Sequence, residues 1–280
     1  MIIIRLKGGL GNQMFQYAFG RLLAVKNNAE VKFEFSGDKK DTRREYKLNK
    51  FNTSVQFAGP DEAKNLQYPF GIVSRVIEKV KTIVLKRYNI GYEPGLLGRK
   101  NGYLEGYWQS YKYLEPIKDI LAKELALKEP VDQKHKTILE KMRDTNSVCV
   151  QVRRGDYVTD PKTSLEHRTF GLEYYDKAFE FLKKKVANPI LFVFSDDIEW
   201  CKNNLKPDLP VFFSDPAMPD YEDFALAVRC KHDIIANSSF GFWAAWLNDN
   251  PGKIVIAPKK WNNKHQKEHD NLLPPEWIKI

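Results

Sequence analysis

Apolar residues follow two rhythms along this chain. Residues 2–6, 31–35, 147–152, 190–194, 211–213, 233–236 and 253–257 are short runs rich in Val, Ile and Phe, the composition of strands covered on both faces. Between them, apolar positions recur every three or four residues. Residues 13–27 carry Phe15, Phe19, Leu22 and Leu23 at that spacing, and residues 172–186 carry Leu172, Tyr175, Phe179 and Leu182; residues 198–205, 221–229 and 240–247 are shorter helical stretches. Strands that alternate with helices predict parallel sheets with crossover helices, an α/β fold.

The middle of the chain is less regular. Residues 36–50 are polar and charged and read as an exposed loop. Residues 60–88 predict helix, with Ile72, Val73, Val76, Ile77, Val80, Ile83 and Val84 on one stripe beside Arg75, Lys79, Lys81, Lys86 and Arg87; a surface helix with its stripe in the core is favoured over one lying on a membrane. Residues 102–113 hold four tyrosines and a tryptophan, and a strand over 103–108 followed by a helix to about 127 is expected. The break at Pro130 suggests two domains, 1–130 and 131–280, with the C-terminal tail packing back on the first.

Composition narrows the compartment and the ligand. The 280 residues are 42% hydrophobic, enough for a packed core, and the formal charge of +9 suits an anionic partner. Cys149, Cys201 and Cys230 form neither a disulfide framework nor a zinc spacing, so a reducing cytoplasm is expected. The N-terminus is too short for a signal peptide before its first strand, and no apolar run approaches the ~20 residues of a membrane span. The pair His265 and His269 lies in a polar tail and reads as solvated.

The chemistry should lie just after the strands, where open α/β sheets bind ligands. There stand Arg153, Arg154 and Asp156; Ser195, Asp196 and Asp197; Ser214 and Asp215; and Asn237, Ser238 and Ser239. The run Val-Gln-Val-Arg-Arg-Gly-Asp-Tyr157 drives a buried strand into two arginines, whose planar forks bind phosphate at two points; a salt bridge from arginine to Asp156 is the equal alternative. Gly8-Gly-Leu-Gly-Asn12 opens a helix, where backbone N–H groups favour an anion. It fits neither a Rossmann fingerprint nor a P-loop, because Met14 stands at the third glycine position and no Gly-Lys-Ser/Thr occurs. Taken alone it reads as a tight turn; taken with Arg153 it suggests a ligand held between two domains. Ser195-Asp196-Asp197 and Asn237-Ser-Ser-Phe240 can cap helices or touch a nucleotide. Asp-x-Asp, the usual mark of a metal-dependent sugar-nucleotide enzyme, is absent from the sequence.

Together, Gly8-Gly-Leu-Gly-Asn-Gln-Met-Phe-Gln-Tyr17, Gly106-Tyr-Trp-Gln-Ser110, Val150-x-Val-Arg-Arg-Gly-Asp-Tyr157, Phe194-Ser-Asp-Asp197 and Asn237-Ser-Ser-Phe240 resemble the bacterial α-1,2-fucosyltransferases of glycosyltransferase family 11. The resemblance runs from residue 1 to about 258. It implies a GT-B-like fold of two Rossmann-like α/β domains facing across a cleft, the first on the acceptor side and the second binding the donor. It implies GDP-fucose as donor, a β-galactoside acceptor such as lactose or a lipid-linked oligosaccharide, inversion at the anomeric carbon and no obligatory metal or cofactor. The implied site has Arg153 as the phosphate clamp and Asp156 orienting it, since a carboxylate beside two arginines is a weak base. Gly9, Gly11, Asn12, Arg154, Ser195, Asp196, Asn237, Ser238, Ser239 and Phe240 complete the donor contacts. The family usually has His where this chain has Gln151; glutamine keeps a hydrogen bond but no acid or base function, and at two residues before Arg153 it is placed to brace that side chain. Another nucleotide-sugar transferase on the same scaffold is the alternative. A nucleic-acid-binding protein is disfavoured, because the basic residues are dispersed and no recognition motif occurs. The enzyme is expected in the cytoplasm, with room for peripheral contact at the inner membrane face.

Overall fold

The computed structural model describes residues 1–35, 45–69 and 89–280. Residues 36–44 of the expected 36–50 loop and residues 70–88 of the expected 60–88 helix lie outside these residues; the described end of the loop is a 3-10 turn, Leu48–Lys50, with Leu48 buried and not exposed as expected. The chain divides into two units, residues 1–126 with 268–273, and residues 127–267 with 274–280.

In the first unit, β1 (Ile2–Leu6) lies between β2 (Val31–Phe35) and β3 (Gly102–Leu104), all parallel. Helix α1 (Leu10–Asn27) follows β1 and buries Phe15, Phe19, Leu22 and Leu23 as the spacing predicts. It begins three residues earlier than expected, so Gly11 and Asn12 belong to its first turn. A second helix, α2 (Pro60–Gln67), occupies the described start of the expected 60–88 helix. β3 is shorter than expected: its pairing ends at Leu104 with Ile4, and the next carbonyls, of Glu105 and Gly106, accept from the Asn89 and Gln16 side chains. Tyr107 and Trp108 then donate to the Asn89 carbonyl, and Trp108 takes φ 48°, an unusual conformation for a bulky residue. The expected long helix to 127 is broken into α3 (Tyr111–Leu114), a 3-10 turn at Glu115–Ile117 and α4 (Lys118–Glu124). Pro116 sits in the turn, and it lacks the N–H that a continuous helix needs. Trp108 and Tyr113 are fully buried, so these two members of the aromatic cluster are core.

In the second unit, six parallel strands run β6-β5-β4-β7-β8-β9. They are β4 (Asn146–Val152), β5 (Pro189–Ser195), β6 (Val211–Phe213), β7 (His232–Ile234), β8 (Val255–Ala257) and β9 (Ile278–Lys279). β8 does not close the sheet as expected; the chain returns at its very end to add β9 beside it. The helices are α5 (Lys136–Asp144), α6 (Gly155–Thr159), α7 (Pro161–Glu166), α8 (Leu172–Lys183), α9 (Ile198–Asn204), α10 (Asp220–Ala227) and α11 (Ser239–Leu247). Valines 148, 150 and 152 of β4 pack with Tyr175, Phe179 and Leu182 of α8 in the core. Leu172 departs from its predicted stripe: it is exposed, and Tyr174 is buried instead. From β4 the order proceeds through β5 to β6 on one side and resumes with β7 on the other. β4 therefore stands at the topological switch point, where such sheets open a crevice at their carboxyl edge.

Candidate active site

Parallel register brings the sequence-distant charges together. Val152 at the end of β4 pairs with Ser195 at the end of β5, so Arg153 and Arg154 emerge beside Asp196 and Asp197. Arg153 forks between two carboxylates, Nη2 to Asp156 Oδ1 at 2.5 Å and Nη1 to Asp196 Oδ2 at 2.8 Å. Arg154 donates its backbone N–H to Asp196 Oδ1 at 2.9 Å and its Nε to Asp197 Oδ2 at 3.1 Å, and its guanidinium lies 3.8 Å over the Trp200 ring. Burial alone would lower the Arg153 pKa, but Asp196 and Asp156 outweigh it and push it up. The residues expected to clamp a phosphate are thus also those of the strand-end salt bridge: the ion pairs hold Arg153 in place while its side chain stays about one-third exposed.

Gly155 is required by this packing, since a Cβ there would lie 2.3 Å from Asp196 Oδ2. Tyr157 packs under the arginine, its ring 5.2 Å from the guanidinium carbon, and donates its hydroxyl to the Asn237 carbonyl at 3.1 Å. Asn237 donates Nδ2 to the Trp261 carbonyl at 2.9 Å and leaves a buried Oδ1 without partner. Ser238 caps α11 through Phe240 N, and Ser195 accepts from Asp197 N at 2.9 Å while Asp197 caps α9. Phe240 packs edge-on against Phe224. The small polar residues after the strands are therefore helix caps as well as edge groups.

Gln151 does not brace Arg153 as expected. The guanidinium is held by Asp156 and Asp196, while Gln151 is buried, faces Gly241 of α11 and turns its amide toward the Cys149 thiol on the same face of β4. On the first unit, Gly8 takes φ 80°, and a Cβ there would press on the Asn12 side chain. Asn12 Oδ1 accepts from Gln109 Nε2 at 2.9 Å, and Gln109 Oε1 meets His269 Nε2 at 3.1 Å. His269 is buried, contrary to the expectation of a solvated tail.

A family model for glycosyl transferase family 11 matches residues 1–280. The chain belongs to that family. It is 34% identical to an α-1,2-colitosyltransferase of Escherichia coli, with 100% of this chain and 99% of that protein covered. It is 30% identical to the O-antigen biosynthesis glycosyltransferase WbnK of the same species, with 98% and 99% covered. A mouse galactoside 2-alpha-L-fucosyltransferase, Sec1, is 28% identical over the whole chain and 74% of its own length. Among solved structures, the α-1,6-fucosyltransferase NodZ crystallised with GDP aligns with a TM-score of 0.50 at 13% identity, covering 87% of this chain and 90% of that one. Arabidopsis thaliana FUT1 in complex with GDP gives 0.51 at 12% identity, covering 98% and 75%. The fold is GT-B-like, built of two Rossmann-like α/β units.

Two partly buried titratable groups lie outside the residues that the sequence pattern singled out. His167 stacks on Tyr157 with ring centroids 4.7 Å apart; burial lowers its pKa, and its Nδ1 has no partner. Asp223, on α10 after β6, has its pKa pushed up to about 7 by burial; Asp220, Asp215 and Glu222 add to the rise, and the Ser214 hydroxyl offsets part of it. The only signal for Asp223 was its place one helix after a strand end. Among the described residues no cluster of His, Cys, Asp and Glu could hold a metal ion.

Proposed function

We propose that this glycosyltransferase moves L-fucose from GDP-fucose to the 2-hydroxyl of a terminal β-galactoside, with inversion and without an obligatory metal. The observation that carries this reading is the fixed guanidinium of Arg153 at the carboxyl end of the switch-point strand, half-buried between Asp156 and Asp196. In the reaction the acceptor oxygen bonds to the fucose anomeric carbon, the bond from that carbon to the β-phosphate oxygen breaks, and the hydroxyl proton is lost. Negative charge grows on the leaving diphosphate, so an immobile cation there stabilises the transition state more than the ground state. Arg153 takes that role with Arg154 beside it, and Asp156 orients Arg153. Ser195, Asp196, Asn237, Ser238, Ser239 and Phe240 are the remaining donor contacts on the second unit, and Gly9, Gly11 and Asn12 those on the first. GDP in two structures of similar fold and the fucosyl transfer named for the mouse relative support the donor.

The 34% identical colitosyltransferase supports a second reading, in which the donor sugar is colitose, a fucose lacking its 3-hydroxyl. Release of the nucleoside diphosphate, GDP or UDP, is measured with lactose as acceptor and GDP-fucose, GDP-colitose and UDP-galactose in parallel. Turnover with GDP-fucose is expected and should survive EDTA. Preference for GDP-colitose would move the assignment to the second reading, and dependence on added magnesium or manganese would overturn the metal-free mechanism.

A further inference from the structure

The stretch after the arginine pair exposes its apolar residues. Among the described residues, Leu165 is 65% exposed, Val158 52% and Leu172 37%, all within 158–172. Folding draws the first two together, because α6 and α7 pack on each other and Tyr157, beside Val158, stacks on His167, two residues past Leu165. These side chains leave much of their apolar surface open to solvent, unlike the core residues they follow.

A basic loop is fastened next to them. Residues 258–267 contain Lys259, Lys260, Lys264 and Lys267 and no carboxylate. Asn263 donates its backbone N–H to the Glu166 carbonyl at 2.8 Å, and Lys264 Nζ lies 3.4 Å from Glu166 Oε1, which pins the loop to the end of α7. The loop is built to keep its shape. Asn262 Oδ1 accepts from the N–H groups of Lys264 and His265, and Gln266 Oε1 accepts from Trp261. Lys259, Lys260 and Lys264 are exposed, as is Arg168 on the neighbouring turn. Both segments follow strands of one sheet, β4 and β8, at its carboxyl edge.

We propose that this face docks on an anionic lipid bilayer, with Leu165 and Val158 entering the boundary between headgroups and acyl chains and Lys259, Lys260 and Lys264 meeting lipid phosphates. Exposed aliphatic side chains flanked by lysines are the composition that such interfaces select. A small soluble anion would use the lysines and leave Leu165 without a purpose, and so would a nucleic acid. The inference goes beyond the donor assignment and does not depend on which nucleotide sugar is used.

The full chain is sedimented with vesicles of phosphatidylglycerol and phosphatidylethanolamine, and separately with phosphatidylcholine alone. Binding is expected to the anionic vesicles only. Replacing Lys259, Lys260 and Lys264 together by Gln should lower the partition on the order of a hundredfold, at about fivefold for each surface lysine. Leu165→Gln should also lower it, while Val25→Gln, which alters a half-exposed apolar residue of the first unit, should not. GDP release with soluble lactose, followed in the same variants, should stay at the wild-type rate, which separates failure of the surface from failure of the enzyme. Equal binding to phosphatidylcholine, no binding to either vesicle, or anionic binding indifferent to Leu165→Gln would overturn the proposal; the last result, with competition by double-stranded RNA, would assign the lysines to nucleic acid.

Discussion

The two units place a β-strand, a tight turn and a helix at comparable points, yet they fasten those turns with different chemistry. On the first unit the glycine turn is held by neutral amides. Gln13 donates to the Gly8 carbonyl at 2.9 Å, Gln16 accepts from Lys7 N at 2.8 Å, and Gln109 donates to Asn12. The cations there, Arg5 and Lys7, both reach Glu105, at 3.0 and 2.9 Å. On the second unit the turn is fastened by Arg153, Arg154, Asp156, Asp196 and Asp197. Amides fix geometry and create little field; oriented charges do both. A turn set by amides suits recognition of a sugar's hydroxyl groups, whereas a turn set by ion pairs suits the charge that develops on a leaving diphosphate.

The largest test of this contrast is Arg153→Ala. Turnover should fall by a hundredfold or more, corresponding to about 3 kcal/mol in the barrier, with circular dichroism unchanged. Arg153→Lys should recover little of it, because a point charge cannot fork between two carboxylates and a phosphate. Wild-type turnover in the Ala variant would remove the charged edge from the mechanism. Gly155→Ala should come next, at roughly tenfold to a hundredfold, since a misplaced catalytic group is costly even when present. The Cβ would drive Asp196 from the Arg153 guanidinium, so the loss should appear in kcat without loss of the protein's melting temperature. A variant with normal kcat would mean that the Asp196 contact does not set the arginine's position.

These two residues also mark how far the sequence could be read. The apolar runs 147–152 and 190–194 match β4 and β5 to within one residue at each end, because a central strand covered on both faces writes its burial into nearly every residue. That Arg153 and Arg154 end such a strand was equally legible. What held them was not, since Asp196 meets Arg153 only through the pairing of β4 with β5, and Gly155 reads as a mere turn residue until Asp196 is beside it. α6 and α7 were missed because each is about a turn long and shows no period. Trp108 at positive φ, the return of β9 and the burial of His269 depend on partners remote in sequence. Local pattern carried the strands; the constraints on the site came from tertiary neighbours.

On the amide-held turn the expected effects are smaller and of a different kind. Gln109→Ala removes the bond to Asn12 and separates His269 from its amide partner. One neutral hydrogen bond contributes about 0.5–1.5 kcal/mol, so a change of up to roughly tenfold is expected. It should fall on the KM for GDP-fucose with kcat nearly kept, as for an interaction equally present in ground and transition states. A fall in kcat with KM unchanged would place this turn at the reacting phosphate and erase the division between the two edges.

The smallest effect is expected at Gln151, where the family usually has histidine. If that histidine served as an acid or base, the present chain would lack a catalytic group and Gln151→His would raise turnover strongly. The structure gives the side chain a packing environment instead: Gln151 is buried against Gly241 of α11, and its own backbone carbonyl accepts from the Tyr175 hydroxyl at 3.2 Å. Its amide meets only the Cys149 thiol, a weak acceptor, so glutamine gains little from that end, and a neutral imidazole of similar reach can occupy the same space. Gln151→His should therefore change kcat by less than about threefold, a difference of under 1 kcal/mol. Gln151→Leu should also be mild, because it replaces a weakly bonded buried amide by an apolar group of similar volume. Gln151→Ala should cost more than either, by opening a cavity between β4 and α11. A hundredfold gain in Gln151→His would show that catalysis in this chain is limited by a missing proton-transfer group and not by the fixed charge of Arg153.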